Sequence, residues 1–289
     1  MRVAVTGGRG RLGRYVVAEL AKRHAVRVLD RSAPTEAGGY PAVDVMDRAK
    51  LAEAFKGQEV VAHLAAIDRS VPCPDDVLFD INVRGTWNVF DAAESAGVRR
   101  VIHCSSSSVY GLDDTNPDVP PLYVPVDEAH PTRPSSTYGM SKVAGEVVAS
   151  AFARRRKLEV LVLRPCYVAF PELIPFLLGT RGPAAGREAE DPPYLRPYVD
   201  PADVARAFAL AAEHKYAGIE TLNICAADSC AEIPTVDHLR NLYGAVPPLN
   251  QPDLYGTNPR AGVFGIAKAK AVLDWEPSTS WAAMKKKAS

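Results

Sequence analysis

Short β-branched runs alternate with segments of helical period along the first 165 residues, the pattern of a parallel sheet with helices on its faces. Six strands are predicted there: Val3–Thr6, Val26–Asp30, Ala42–Val45, Val60–Leu64, Val101–Ser105 and Val160–Arg164. Between the first two, Val16, Val17 and Leu20 share one face of a helix over Arg14–Arg23, making a βαβ unit of about thirty residues. Leu51, Ala54 and Phe55 mark a second helix that Gly57 ends, and a longer one over 76–96 stops at Gly97, because glycine takes the left-handed conformation at a helix C-terminus without strain. The regularity predicts an α/β fold, a doubly wound parallel sheet whose ligand crevice lies at the carboxyl ends of the strands.

After Pro165 the texture breaks. Pro171, Pro175, Pro183, Pro192, Pro193, Pro197 and Pro201 divide the chain into short pieces, as in loops and a smaller lobe. Helical pattern returns over Ala202–Glu213, a strand is expected at Thr221–Cys225, and a helix over Val236–Tyr243 has Thr235 as its candidate cap. Residues 1–165 are therefore expected to form the sheet domain and 166–289 a small substrate-binding lobe interleaved with the last sheet elements. Lys285, Lys286 and Lys287 read as a solvated, frayed tail.

Composition narrows the partners. With 47% apolar residues in 289, the chain can fill a sizeable core. Lysine plus arginine (34) balances aspartate plus glutamate (34), so no global field draws it to nucleic acid or to an anionic membrane. The five cysteines are odd in number and scattered without a CxxC pair, which argues against a disulfide framework or a thiolate metal site and for reduced thiols in a cytoplasm. Strand-like sequence from Arg2 leaves no room for a signal peptide, and no stretch approaches the roughly 18 to 20 apolar residues of a membrane span. A soluble cytoplasmic protein is expected.

Candidate chemistry begins where the first strand ends. Thr6-Gly7-Gly8-Arg9-Gly10-Arg11-Leu12-Gly13 joins a strand to a helix, the context in which glycines cradle a dinucleotide. Gly7 suits the tight turn, Gly10 lets backbone approach a pyrophosphate, and Gly13 allows close helix–strand packing. Asp30 ends the second strand 17 residues beyond Gly13, where a carboxylate accepts hydrogen bonds from ribose hydroxyls and disfavours a 2'-phosphate. NAD is thus favoured, although Arg31 and Arg9 could partly neutralise that phosphate and leave NADP possible.

Tyr138 and Lys142 stand at i and i+4, so on a helix both project from one face. A phenol with an ordinary pKa near 10 is a poor base at neutral pH, and a neighbouring ammonium favours its ionised form. Ser105, Ser106, Ser107 and Ser108 at the end of the fifth predicted strand offer hydroxyls that could orient a substrate oxygen.

Taken together these residues resemble the extended short-chain dehydrogenase/reductases, the NAD-dependent epimerase/dehydratase group built on a Rossmann-type sheet. The likeness runs nearly end to end: TGGRGRLG, Asp30, Asp44-Val45, His63-Leu64-Ala65-Ala66, Asn82-Val83-Arg84-Gly85-Thr86, SSSSVYG, YGMSK, Leu163-Arg164-Pro165, Arg196-Pro197-Tyr198-Val199-Asp200 with Asp203-Val204-Ala205, and Leu273-Asp274-Trp275-Glu276-Pro277. The resemblance implies Tyr138 as acid/base, Lys142 on the nicotinamide ribose and lowering the tyrosine pKa, and Ser106 on the reacting oxygen with Ser107 as fallback. It implies Gly7, Gly10, Arg11, Leu12, Gly13, Asp30, Arg31, Asp44, Val45, Leu64, Ala65, Ala66 and Pro165 around the cofactor, with Asn82 supporting the site from behind. His63 reads as a packed strand-end residue; Arg164 could reach a substrate anion or tie the sixth strand to its neighbours.

Departures from the family pattern bear on the substrate. Only 32 residues separate Pro165 from Tyr198, fewer than nucleotide-sugar epimerases generally spend there, and the aspartate after the first arginine of "RDxIHV" is missing. A smaller substrate is expected: a sugar, sugar acid or polyol, oxidised or reduced through NAD. Gly179-Thr180-Arg181-Gly182 with Arg187 could form an anion-binding lid or a solvated loop. The alternative is a nucleotide-sugar epimerase using the same site through a keto intermediate, and a cofactor-sensing protein without catalysis is a third reading. The family also implies a homodimer through the helices near 76–96 and 138–152.

Overall fold

The computed structural model describes residues 1–33, 39–112, 118–178 and 194–288. Six parallel strands, β1 (Arg2–Thr6), β2 (Ala25–Leu29), β3 (Val60–His63), β4 (Arg100–Cys104), β5 (Glu159–Pro165) and β6 (Ile219–Ile224), form one sheet in the order β2-β1-β3-β4-β5-β6. Helices α1 (Arg11–Ala21), α2 (Arg48–Phe55), α3 (Asp75–Ser95) and α4 (Thr137–Arg154) alternate with the first five strands. After β5 come α5 (Ile174–Leu177), α6 (Pro201–Glu213), α7 (Thr235–Tyr243), α8 (Pro252–Thr257), α9 (Ala267–Leu273) and α10 (Trp281–Ala288).

The alternation of side chains along each strand divides the core. Val3, Val5, Ala62, Ile102, Leu161 and Leu163 pack with α1 and α6 on one face, while Ala4, Val61, Val101, Val160 and Val162 pack with α2, α3 and α4 on the other. Both faces being covered, β3, β4 and nearly all of β5 are buried throughout, which is why they read as unbroken apolar runs. A third cluster around Tyr198, Phe176, Trp281 and Met284 gives the lobe its own small core.

Four expectations need correction. Ala42–Val45 is not a strand: Val43 donates one backbone hydrogen bond to Asp30 at 2.8 Å, and Val43 and Val45 pack into the α2–α3 core without a ladder. Only five strands therefore precede residue 166, and the sixth, β6, comes from the later sequence and pairs in register with β5, Pro165 opposite Ile224. Thr235 is the first residue of α7 rather than its cap, and its hydroxyl donates to the Ala261 carbonyl at 2.7 Å. The lysine-rich end is helical, not frayed, because Trp281 and Met284 bury one side of α10 and Lys285 bridges both Glu232 oxygens at 3.0 and 3.1 Å. Among the described residues no helix is long and apolar enough to cross a membrane.

Candidate active site

The glycine loop follows β1 directly. Gly7 adopts φ +69°, and a Cβ on Gly13 would lie 2.1 Å from the Gly7 carbonyl oxygen, so both positions exclude any larger residue. Gly10 differs: its φ of −65° suits any residue, and a Cβ there would meet within 4 Å only the Gly7 oxygen at 3.2 Å. Bare backbone at the N-terminus of α1 lines the cavity here, the cradle that a pyrophosphate requires. One turn away in space, Asp30 accepts the Arg9 amide at 3.0 Å on one oxygen and the Ser32 amide and hydroxyl at 3.1 and 2.9 Å on the other. The residues present fit a dinucleotide.

A cavity of about 680 Å³ runs from this loop across the carboxyl ends of the strands. Gly7, Gly10, Arg11, Leu12, Gly13, Asp30, Arg31, Asp44, Val45, Leu64, Ala65, Ala66 and Pro165 all line it, as do Ser106, Ser107, Tyr138 and Lys142 at its far end. Arg9 of the glycine loop lines it as well, and Arg69, Cys166, Tyr167, Phe170 and Phe264 line it from segments whose contribution only the folded chain reveals. Arg11 spans the mouth, its Nη2 3.2 Å from Asp68 and its guanidinium 5.0 Å from the centre of the Phe170 ring.

Local sequence sets the catalytic end. Ser136 caps α4 by accepting the Gly139 amide at 3.1 Å, which puts Tyr138 in the first turn and Lys142 one turn on. Lys142, 5% exposed, donates from Nζ to the Cys104 carbonyl at 2.9 Å. Ser106 begins the 3-10 turn that follows β4, its hydroxyl accepting the Ser108 amide at 3.1 Å. Burial pushes the Tyr138 phenol above its ordinary range, reinforced by Cys104 and Asp68 and opposed by a Ser106 hydrogen bond and Arg69. Burial likewise pushes the Lys142 ammonium down, against Cys104, Asp68 and Glu146.

Two expected site residues lie behind the cavity wall. Asn82 accepts the Ile67 amide at 2.8 Å and donates to the Ile67 carbonyl at 3.0 Å and to Ser141 Oγ at 3.1 Å, bracing the loop after β3 against α4. Arg164 is not among the residues that line the cavity: its guanidinium forks onto Glu146 at 2.8 and 2.6 Å and reaches Tyr110 Oη at 2.8 Å, so it ties β5 to α4. Glu146 itself was not foreseen, although it repeats the i+4 spacing from Lys142. His63 is buried between Thr6 Oγ1 at 2.8 Å and Thr86 Oγ1 at 3.0 Å, and burial pushes it down to about 3. The Gly179–Gly182 stretch and Arg187 lie outside the described residues.

A parallel sheet with a glycine loop after its first strand and a tyrosine–lysine pair on one helix face is the architecture of the extended short-chain dehydrogenase/reductases. Residues 3–225 match the model of the NAD dependent epimerase/dehydratase family, and the chain belongs to that family. An L-arabinose 1-dehydrogenase (NAD(P)(+)) of Haloferax volcanii is 39% identical over 173 residues, covering 56% of this chain and 65% of that enzyme. A UDP-glucose 4-epimerase of Mycolicibacterium smegmatis is 31% identical over 316 aligned positions, covering 98% of this chain and 95% of that one. Among solved structures, a short-chain dehydrogenase/reductase superfamily protein from Agrobacterium tumefaciens with bound NAD is similar at a TM-score of 0.74 and 26% identity, over 100% of this chain and 96% of that one.

Proposed function

We propose that this protein is a cytoplasmic NAD-dependent dehydrogenase of a small hydroxylated substrate, a sugar, sugar acid or polyol. The observation that carries the reading is the presence of Ser106, Tyr138 and Lys142 together at one end of the cavity that begins at Gly10. Likeness to an arabinose dehydrogenase supports a free sugar as substrate. Phe170, Leu173, Leu195 and Phe264 add apolar surface to the same cavity, suited to excluding water from a compact ligand.

NAD, when bound, supplies the hydride acceptor for oxidation and, reduced, the donor for the reverse reaction. Gly7, Gly10 and the start of α1 hold its pyrophosphate, Asp30 its adenosine ribose, Asp44 and Val45 its adenine, and Lys142 the ribose at the other end. Asp30 favours NAD over NADP, with Arg9 and Arg31 leaving the latter a weaker ligand. Tyr138 Oη takes the proton from the substrate hydroxyl, or returns it, and Ser106 Oγ holds the same oxygen in place. Lys142 Nζ offsets the charge that forms on the phenol, an effect needed because burial, with Cys104 and Asp68, favours the protonated form of Tyr138.

Near-full-length likeness to a UDP-glucose 4-epimerase favours the second reading, in which the oxidised sugar is retained and reduced again. Purified protein separates the two. Accumulation of NADH, followed by its absorbance, is expected with L-arabinose or another aldose, uronate or polyol; an isomer of UDP-glucose with no free NADH from the whole panel would replace the first reading with the second. Two copies are proposed to pair through the outer faces of α3 and α4, and a reducing compartment suits five free thiols.

A further inference from the structure

Glu146 stands one turn beyond Lys142 on α4, and both its oxygens are engaged. Oε1 accepts the Ser105 hydroxyl at 2.5 Å and Arg164 Nε at 2.8 Å; Oε2 accepts Arg164 Nη2 at 2.6 Å. The remaining arm of the guanidinium donates to Tyr110 Oη at 2.8 Å, and that hydroxyl donates to Asn223 Oδ1 at 2.8 Å. Arg164 is 5% exposed, so the pair is withdrawn from water.

Each group in this cluster adjoins the catalytic end of the cavity. Ser105 immediately precedes Ser106 at the exit of β4, Arg164 immediately precedes Pro165 at the end of β5, and Glu146 shares α4 with Tyr138 and Lys142. A buried ion pair is a poor source of stability, because desolvation offsets its attraction and an apolar pair of similar volume often serves the fold as well. What such a pair does supply is fixed geometry: the planar fork sets both the distance and the angle between α4 and β5. The Ser105 bond adds the β4 exit to the same anchor: β4 and β5 are already paired backbone to backbone, and the cluster fixes α4 against both of them.

We propose that Glu146 and Arg164 are positioning residues that hold the β4 exit, the β5 end and α4 in the one arrangement that brings Ser106, Tyr138 and Lys142 together. The inference rests on the Ser–Tyr–Lys reading above. Neither residue touches substrate, and their effect falls on turnover more than on cofactor affinity, because the glycine loop and Asp30 lie away from the cluster and only the Lys142 contact to the cofactor depends on it.

Either single apolar variant strands a buried charge, so the test removes both, with Glu146→Leu and Arg164→Met in one protein. This double variant is expected to keep the thermal midpoint of the parent and to lose only the part of the calorimetric NAD affinity that Lys142 supplies at the ribose, while kcat with L-arabinose as the probe falls about a hundredfold at little-changed KM. Its crystal structure is expected to show Lys142 Nζ withdrawn from the Cys104 carbonyl and Ser106 displaced. Parental kcat with a superposable Ser106, Tyr138 and Lys142 would overturn the proposal. Ser105→Ala removes one grip without stranding a charge: reduced kcat at parental stability, restored by Ser105→Thr, is expected. A fully active Ser105→Ala beside a double variant that fails to fold would reduce the cluster to a structural tie. Should the parent oxidise no sugar, the substrate assignment fails alone, and the two crystal structures still decide this one.

Discussion

Lys142 Nζ lies 5.5 Å from the centre of the Tyr138 ring while bonded to the Cys104 carbonyl at 2.9 Å. The carbonyl fixes which way a long, mobile side chain points, and the cation is thereby held beside the phenol rather than in solvent. Tyr138→Phe keeps the ring and removes the one atom that carries a proton. Turnover should fall by about a hundred- to ten-thousandfold. NAD affinity measured by calorimetry should stay at the parental value, and a parallel loss of affinity would show that the phenol serves binding or folding instead.

Gly10 and Gly13 make opposite predictions although both belong to one glycine motif. At Gly13 an added Cβ would meet the Gly7 oxygen at 2.1 Å and Gly8 Cα at 2.8 Å, backbone that cannot step aside. Gly13→Ala should therefore destabilise the fold by about 1–3 kcal/mol or more, as overpacking does. At Gly10 an added Cβ has an ordinary φ and one close neighbour, the Gly7 oxygen at 3.2 Å, which a shift of a few tenths of an ångström relieves, so Gly10→Ala should cost less stability than Gly13→Ala, about 1 kcal/mol or below. Its NAD affinity should nonetheless drop, because the new methyl stands where the pyrophosphate approaches; unaltered affinity would move the cofactor off this loop.

What could be read from sequence depended on whether a residue's meaning was local. Parallel strands buried on both faces read as apolar runs, and Tyr138 with Lys142 announces itself by helical spacing. Ala42–Val45 carries the same apolar signal as a strand, but hydrophobicity reports burial and not pairing, and here the valines pack against helices. Arg164 was ambiguous because a cation at a strand end has no direction until Glu146, eighteen residues earlier on α4, supplies its partner. The lysines of α10 read as a solvated tail since the burial of Trp281 and Met284 depends on Tyr198 and the rest of the lobe cluster.

His63 and His103 should make the fold sensitive to mild acid. Thr86 gives its hydroxyl proton to the Asn82 carbonyl at 2.6 Å, so it accepts from His63 Nε2, and Nδ1 is left to accept from Thr6. That arrangement suits a neutral ring, and burial pushes His63 down to about 3 and His103 well below its ordinary value. An unfolded histidine titrates near 6.5, so below that pH the unfolded chain binds protons the folded one refuses, and stability falls as pH falls. At pH 5 the loss should reach about 2 kcal/mol for a histidine shifted this far. Urea titrations between pH 7 and 5 should show it. The His63→Gln variant should lose one histidine's share of the slope; an identical slope would mean that His63 titrates alike in the folded and unfolded chain.

The outer faces of α3 and α4 carry more apolar surface than a lone monomer needs. Trp87 and Phe79 on α3 are 42% and 40% exposed, and Val147 and Met140 on α4 are 60% and 43% exposed. Single exposed apolar residues are ordinary, but here they recur at two-turn intervals on neighbouring helices, a pattern that leads us to expect an interface. The ion pairs Arg84–Asp80 on α3 and Arg155–Glu94 between α4 and α3 supply a polar rim of the kind that borders a protein interface. A second copy is the occupant expected, since a two-fold arrangement lets the same stripe cover itself. Val147→Asp puts a charge at the most exposed of these positions, where the folded monomer tolerates it and a dimer does not. Sedimentation at micromolar concentration should give a dimer for the parent and a monomer for the variant, with the monomer's circular dichroism unchanged. A parent that sediments only as a monomer would leave these helices facing solvent, and the same stripe would then have to be explained by some other partner.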